Sequence, residues 1–312
     1  MSHNLFLGMY TFGIKKLNTS DSERVEINDF LSNAYPDKEN KFSEGFVQDI
    51  ISLIDEKIFK NERNTHGGIL DEKSISSSRR ILDIVIDGGT TGIKQFIIDE
   101  EGKKSILYDN EIVGPKFYAR LWLPANTKTG YLFIQKYGAF SIKPIFDDII
   151  KGVLKSNGYN IVSNSLKATT TKQRQREFLK RSTIKDIVIV SNRSSHETGA
   201  ADAASAEIRL KNIVTQKNKA ISKSDMNAAL KNHGFSIGDR VYDIKATYQN
   251  KTGDIKEERT VRLDSSEETI NVIPNIVVPP SCIDVDNYPI FEKMKDFVDK
   301  EMIQVKKEAK IK

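Results

Sequence analysis

Between Lys151 and Lys185 the chain carries nine lysines and arginines and a single acid, Glu177, a local excess of eight positive charges. The remaining residues hold 39 basic and 42 acidic side chains, so the net charge of +5 comes from one stretch of sequence. Clustered cations of this kind suit a polyanion, because each can neutralise a phosphate without reading a base. Residues 171–181 have the pattern of a helix. At 100° per residue Phe178 and Leu179 fall on one side with Gln175 between them. Lys172, Arg176 and Lys180 form a stripe beside that apolar edge, and Arg174 and Arg181 form a second stripe. With the flanking Lys167 and Lys185, these seven are the candidate nucleic-acid-binding residues. A solvated helix face would carry the same residue types.

A second constellation is acidic. Asp83 and Asp87 lie in the strand-like run from Ile81, followed by Asp99, Glu100, Glu101 and Lys103. A magnesium-dependent nuclease needs carboxylates converging on the metal, with a lysine near the attacking water. Asp83, Asp87, Glu101 and Lys103 are therefore the catalytic candidates under that alternative, the only one that calls for a cofactor. Against it, Glu101-Gly102 reads as the tip of a turn, and Asp83, set in an apolar strand, needs a partner or must face solvent.

Other signals are weaker. His3, His66, His196 and His233 have no i, i+4 spacing, and Cys282 is the single cysteine, so no metal site is predicted. Arg193, His196 and Glu197 follow an apolar strand and could supply a cation, a proton shuttle and an acid. Gly88-Gly89-Thr-Thr-Gly92 matches no phosphate-loop order and reads as a hairpin turn. Trp122 lies among Phe117, Tyr118, Leu121 and Leu123, either stacking bases on an open sheet or packing a core.

These groups must be held by a folded chain of 312 residues with 38% hydrophobic and 29% charged composition, ordinary values for a globular protein. No apolar run approaches the ~20 residues that span a bilayer, and no disulfide framework is available, so a cytoplasmic location is expected. The pattern predicts an initial strand over 4–16, two helices ending near Lys60, and an exposed loop over 61–79. That loop is the expected boundary between an N-terminal section (1–79) and a main domain (80–312), with a sub-boundary near 192–206. Strands run from Ile81 to Tyr137, and a helix follows Ser141 with Ile142, Ile145, Phe146, Ile149, Ile150, Val153 and Leu154 at helical spacing. A β-α-β-α-β section leads to Ser191, and a hairpin across residues 241–263, a strand over 270–278 and a helix from Pro289 close the chain.

The predicted fold class is α+β: a mixed, mostly antiparallel sheet meander with a β-α-β-α-β middle section and a C-terminal hairpin plus helix. The expected function is nucleic-acid association through the basic helix, in a microbial mobile-element or antiviral defence setting. The alternatives are the metal-dependent nuclease and a protein-interaction subunit. Partners are nucleic acid or another polyanion, or a protein, and no membrane.

Overall fold

The computed structural model describes residues 5–55, 57–91, 95–98, 100–108, 111–191, 207–211, 223–232, 234–235, 237, 242–252, 255–263 and 271–311. The chain divides into two compact units, Met1–Thr169 with Ile276–Lys312, and Thr170–Asn275. The fold is α+β with mostly antiparallel sheets.

In the larger unit the elements are β1 (Leu5–Phe12), β2 (Ile14–Lys16), β3 (Arg24–Val25), α1 (Ile27–Ala34), a π-helical turn (Lys41–Phe46), α2 (Val47–Ile54), β4 (Phe59–Lys60), β5 (His66–Ser76), β6 (Ile81–Thr90), β7 (Gln95–Ile98), β8 (Lys104–Leu107), β9 (Lys116–Trp122), β10 (Gly130–Tyr137), α3 (Lys143–Ser156), β11 (Tyr159–Ile161) and β12 (Lys167–Thr169). The smaller unit contains α4 (Lys172–Arg181), β13 (Thr183–Ser191), β14 (Glu207–Lys211), α5 (Lys223–Lys231), β15 (Tyr242–Thr252) and β16 (Ile255–Arg262). The chain then returns to the larger unit with β17 (Ile276–Val277) and α6 (Phe291–Ala309).

The main sheet has the order β12-β1-β10-β9-β6-β5-β4, with β17 also on β1. Alternation along its strands buries both faces. Leu82, Ile84, Ile86, Ala119 and Ile134 pack with α1, α2 and α3, while Ile81, Val85, Tyr118, Trp122 and Phe133 pack with α6. α3 begins with Pro144 in its first turn and buries Ile145, Phe146, Ile149, Ile150, Val153 and Leu154. Gly158, at φ +81°, provides the left-handed residue just beyond it. α6 presents Met294, Val298, Met302 and Val305 at helical spacing to the opposite face.

The route out to the smaller unit and back is a feature of β1. β12 pairs Lys167, Ala168 and Thr169 with Thr11, Tyr10 and Met9, and β17 pairs Ile276 and Val277 with Leu7 and Phe6. Both are antiparallel to β1 and lie on the same edge, so together they form one strand broken opposite Gly8 by residues 170–275.

Two sequence expectations need correction. Residues 61–79 are not an exposed loop: β5 pairs with β6 from His66↔Thr90 to Ser76↔Ile81, across the boundary expected at 79/80. Gly88-Gly89 is not a hairpin turn but part of β6, opposite Gly68 and Gly67. The backbone of Val113–Pro115 crosses there so closely that a Cβ on Gly89 would lie 2.0 Å from the Val113 carbonyl oxygen, a contact only glycine permits. The expected β-α-β-α-β section is present as β10-α3-β11-α4-β13, with the short β12 between β11 and α4, and β10, β11 and β13 belong to three different sheets. Of the strand expected over 270–278, residues 276–277 pair; 264–270 lie outside the described residues, as does the sub-boundary near 192–206.

Candidate nucleic-acid interface

α4 is held by its apolar side. Phe178 and Leu179 are buried in the core of the smaller unit with Ile184, Ile187, Ile244, Tyr248 and Val272. Thr171 caps the helix, its side chain accepting from the Arg174 backbone N–H at 3.3 Å. Ser182 Oγ closes the other end on the Phe178 carbonyl at 2.7 Å. Gln175, between the two apolar residues, donates to Asn271 Oδ1 and the Val272 carbonyl. With one side fixed in this way, the rotation of the helix is set.

The rest of the helix surface is cationic. Lys172, Arg176, Lys180 and Arg181 are exposed, and Arg174 is partly buried. Lys172, Arg176 and Lys180 follow one another at i, i+4 and i+8, a rise of about 6 Å per step. The single acid of the helix, Glu177, accepts from Gln173 Nε2 at 2.8 Å. Lys185 falls on β13. Lys167 is exposed on β12 and belongs to the larger unit, so the seven candidate cations are divided between the two units. Charge follows the same division: residues 170–275 contain 19 Lys and Arg against 14 Asp and Glu, whereas the larger unit has 29 of each.

The acidic candidates occupy different settings. Asp83 is buried, and its carboxylate accepts from Arg120 Nε at 2.6 Å and Nη2 at 3.2 Å. Tyr118 Oη donates to the same carboxylate. Arg120 continues to Asp299 on α6, which Arg79 grips with two hydrogen bonds of 2.7 and 3.1 Å. Desolvation, reinforced by the Asp83 charge, pushes the Tyr118 hydroxyl well above its ordinary range, so it stays a donor. Asp83 is thus the centre of a buried lattice joining β6, β9 and α6.

Asp87 is half-exposed, 3.6 Å from Lys116 Nζ, which is closer to Asp71 at 2.6 Å. Glu101 and Lys103 are exposed at the turn of the β7–β8 hairpin, a separate two-stranded sheet. Among the described residues no group of three or more His, Cys, Asp or Glu side chains is placed to hold a metal ion.

Of the remaining candidates, His66 stacks on Phe140 with centroids 6.4 Å apart, and burial lowers its pKa. Trp122 is buried, stacked on Tyr131 at 5.0 Å and covered by Lys306 Nζ, and so packs a core. Cys282 is buried and its pKa is raised by desolvation, which keeps it a thiol. His3, His196, His233, Arg193, Glu197 and Asp99 lie outside the described residues.

Arg120 escaped sequence reasoning, although it carried a signal: an arginine inside the apolar run Phe117–Leu123, like Asp83 in its own apolar strand. Two opposite charges each embedded in an apolar strand are the signature of a buried pair. No helix among the described residues is long and apolar enough to cross a membrane. Comparison of the chain with protein-family models, curated proteins and solved structures finds no match.

Proposed function

We propose that residues 170–275 bind nucleic acid through the phosphate backbone, with α4 laid along the strand. The observation that carries this reading is the polarity of α4. Phe178 and Leu179 anchor one side in the core, and Lys172, Arg176, Lys180 and Arg181 stand exposed on the others, in the unit that holds all of the chain's positive excess. Such contacts give affinity with little sequence preference and a strong dependence on salt.

The test is fluorescence anisotropy with random-sequence duplex DNA, single-stranded DNA and RNA over a range of salt. Four engaged cations predict a slope of about −3 in log affinity against log salt. Replacing Lys172, Arg176 and Lys180 together by glutamine should weaken binding and cut that slope by about one per residue. A folded triple variant that binds with unchanged affinity and slope removes the reading. Competition by polyglutamate as effective as competition by nucleic acid would instead assign the face to an acidic protein.

A further inference from the structure

The larger unit has a small open cleft at the end of β1, lined by Thr11 and Gly13, by Arg24 of β3, by Thr129 just before β10, and by Ser165 and Lys167. Two cations and three hydroxyl residues face one opening, and no carboxylate is among the residues that line it. Thr11 and Lys167 stand directly opposite each other in the β1–β12 ladder. The Arg24 stem lies across Gly13, its Cδ 3.3 Å from where a Cβ would be, so the absence of a side chain there seats the arginine at the cleft.

The wall carrying Ser165 and Lys167 is built with strain. Ser163 and Asn164 are both left-handed, at φ 60° and 52°, a conformation that persists only when neighbours impose it. Asp21 imposes it on Ser163, accepting from its backbone N–H at 3.0 Å and its Oγ at 3.1 Å, and Asn160 Nδ2 holds Asn164 Oδ1 at 2.8 Å.

Two acids that precede Arg24 are already committed: Glu23, next to it in sequence, accepts from the Ser20 backbone N–H at 3.1 Å. Asp21 is paired with Lys15 at 2.9 Å, and the hydrogen bonds from Lys15 and Ser163 hold its carboxyl down to about 2. Lys143 reaches Ser165 Oγ at 3.4 Å but is balanced by its own partner, Asp147. Among the described residues neither Arg24 nor Lys167 has a carboxylate partner. The cleft therefore has two positive charges with no counter-ion among the described residues, hydroxyls around them, and a turn strained to hold that arrangement.

We propose that this cleft is an oxyanion site for the phosphoryl group of a phosphate monoester, with Arg24 and Lys167 supplying the charge and Thr11, Thr129 and Ser165 the remaining hydrogen bonds. A monoester dianion matches two cations in a small opening, and guanidinium and ammonium donors to phosphate form strong charge-assisted bonds. A backbone diester carries one charge per phosphate and continues in both directions, which suits the open face of α4. The proposal does not depend on the reading of α4.

Calorimetric titration of the full chain at neutral pH, with adenosine 5′-monophosphate and separately with inorganic phosphate, tests it. Saturable binding of the monoester at one site per chain is expected, weakened about tenfold or more by Arg24→Gln and by Lys167→Gln. The α4 triple-glutamine variant should bind the monoester unchanged, which separates this site from the proposed nucleic-acid face. A ligand-dependent rise in melting temperature that Ser165→Ala reduces gives a second readout that does not rely on the charge variants. No saturable monoester binding, binding of inorganic phosphate alone, or full affinity retained in both charge variants would each overturn the proposal.

Discussion

Asp83 and Arg120 face each other across β6 and β9, and each is the partner the other needs in an otherwise apolar layer. Removing one member of a buried pair leaves the other charge uncompensated, at a cost of about 3–5 kcal/mol. Asp83→Ala should therefore destabilise the larger unit by that amount in urea unfolding. The neighbouring Asp299 adds a dependence on pH. Burial alone would raise its pKa, but Arg79 and Arg120 pull it below the ordinary 3.8. A carboxylate depressed in the folded state contributes stability that is complete above its unfolded pKa and is lost as pH falls through its lower folded value. Unfolding free energy should accordingly decline below about pH 4, and Asp299→Asn should show lower stability at neutral pH with a shallower acid decline. The need of Asp83 for a partner was legible in the sequence; the identity of the partner was not, because it depends on strand register.

At the scale of elements, legibility followed the side chains. α3 was readable because six buried apolar residues recur at helical spacing with Pro144 at one end and Gly158 beyond the other. β5 was not: Gly67 and Gly68 offer no side chain to the pattern, and Asp71, Glu72 and Lys73 are exposed. Its place in the sheet comes from backbone pairing with Gly88 and Gly89, which composition cannot show. The basic face of α4 was legible as helix geometry, but the assignment of Lys167 to another unit was not. Two glycines make a direct contrast. Gly89→Ala would drive a methyl into the Val113 carbonyl and should cost about 1–3 kcal/mol or more. Gly152→Ala, in α3 with nothing within 4 Å of the added carbon, should raise stability by about 0.5–1 kcal/mol. Thermal denaturation of the two variants measures both.

For the whole molecule, the broken edge strand separates the two units cleanly in the sequence. The buried cluster of the smaller unit draws its residues from 178–272, and the two clusters of the larger unit draw none from that range. Thr169 and Ile276 stand opposite Met9 and Leu7, about 7 Å apart along the edge. One glycine in place of residues 170–275 would continue the strand opposite Gly8. That shortened chain should unfold in a single cooperative transition, keep the Arg24–Lys167 cleft, and lose the salt-dependent binding proposed for α4; circular dichroism melting and anisotropy check these outcomes.

The same interruption imposes an order on synthesis. β1 is made before residues 276–311, yet two of the five pairings along its outer edge and the α6 layer over one sheet face come from those residues. Every residue of 170–275 has left the peptidyl-transferase centre before those segments exist, so the basic unit has its full sequence while the larger unit still has a bare apolar face.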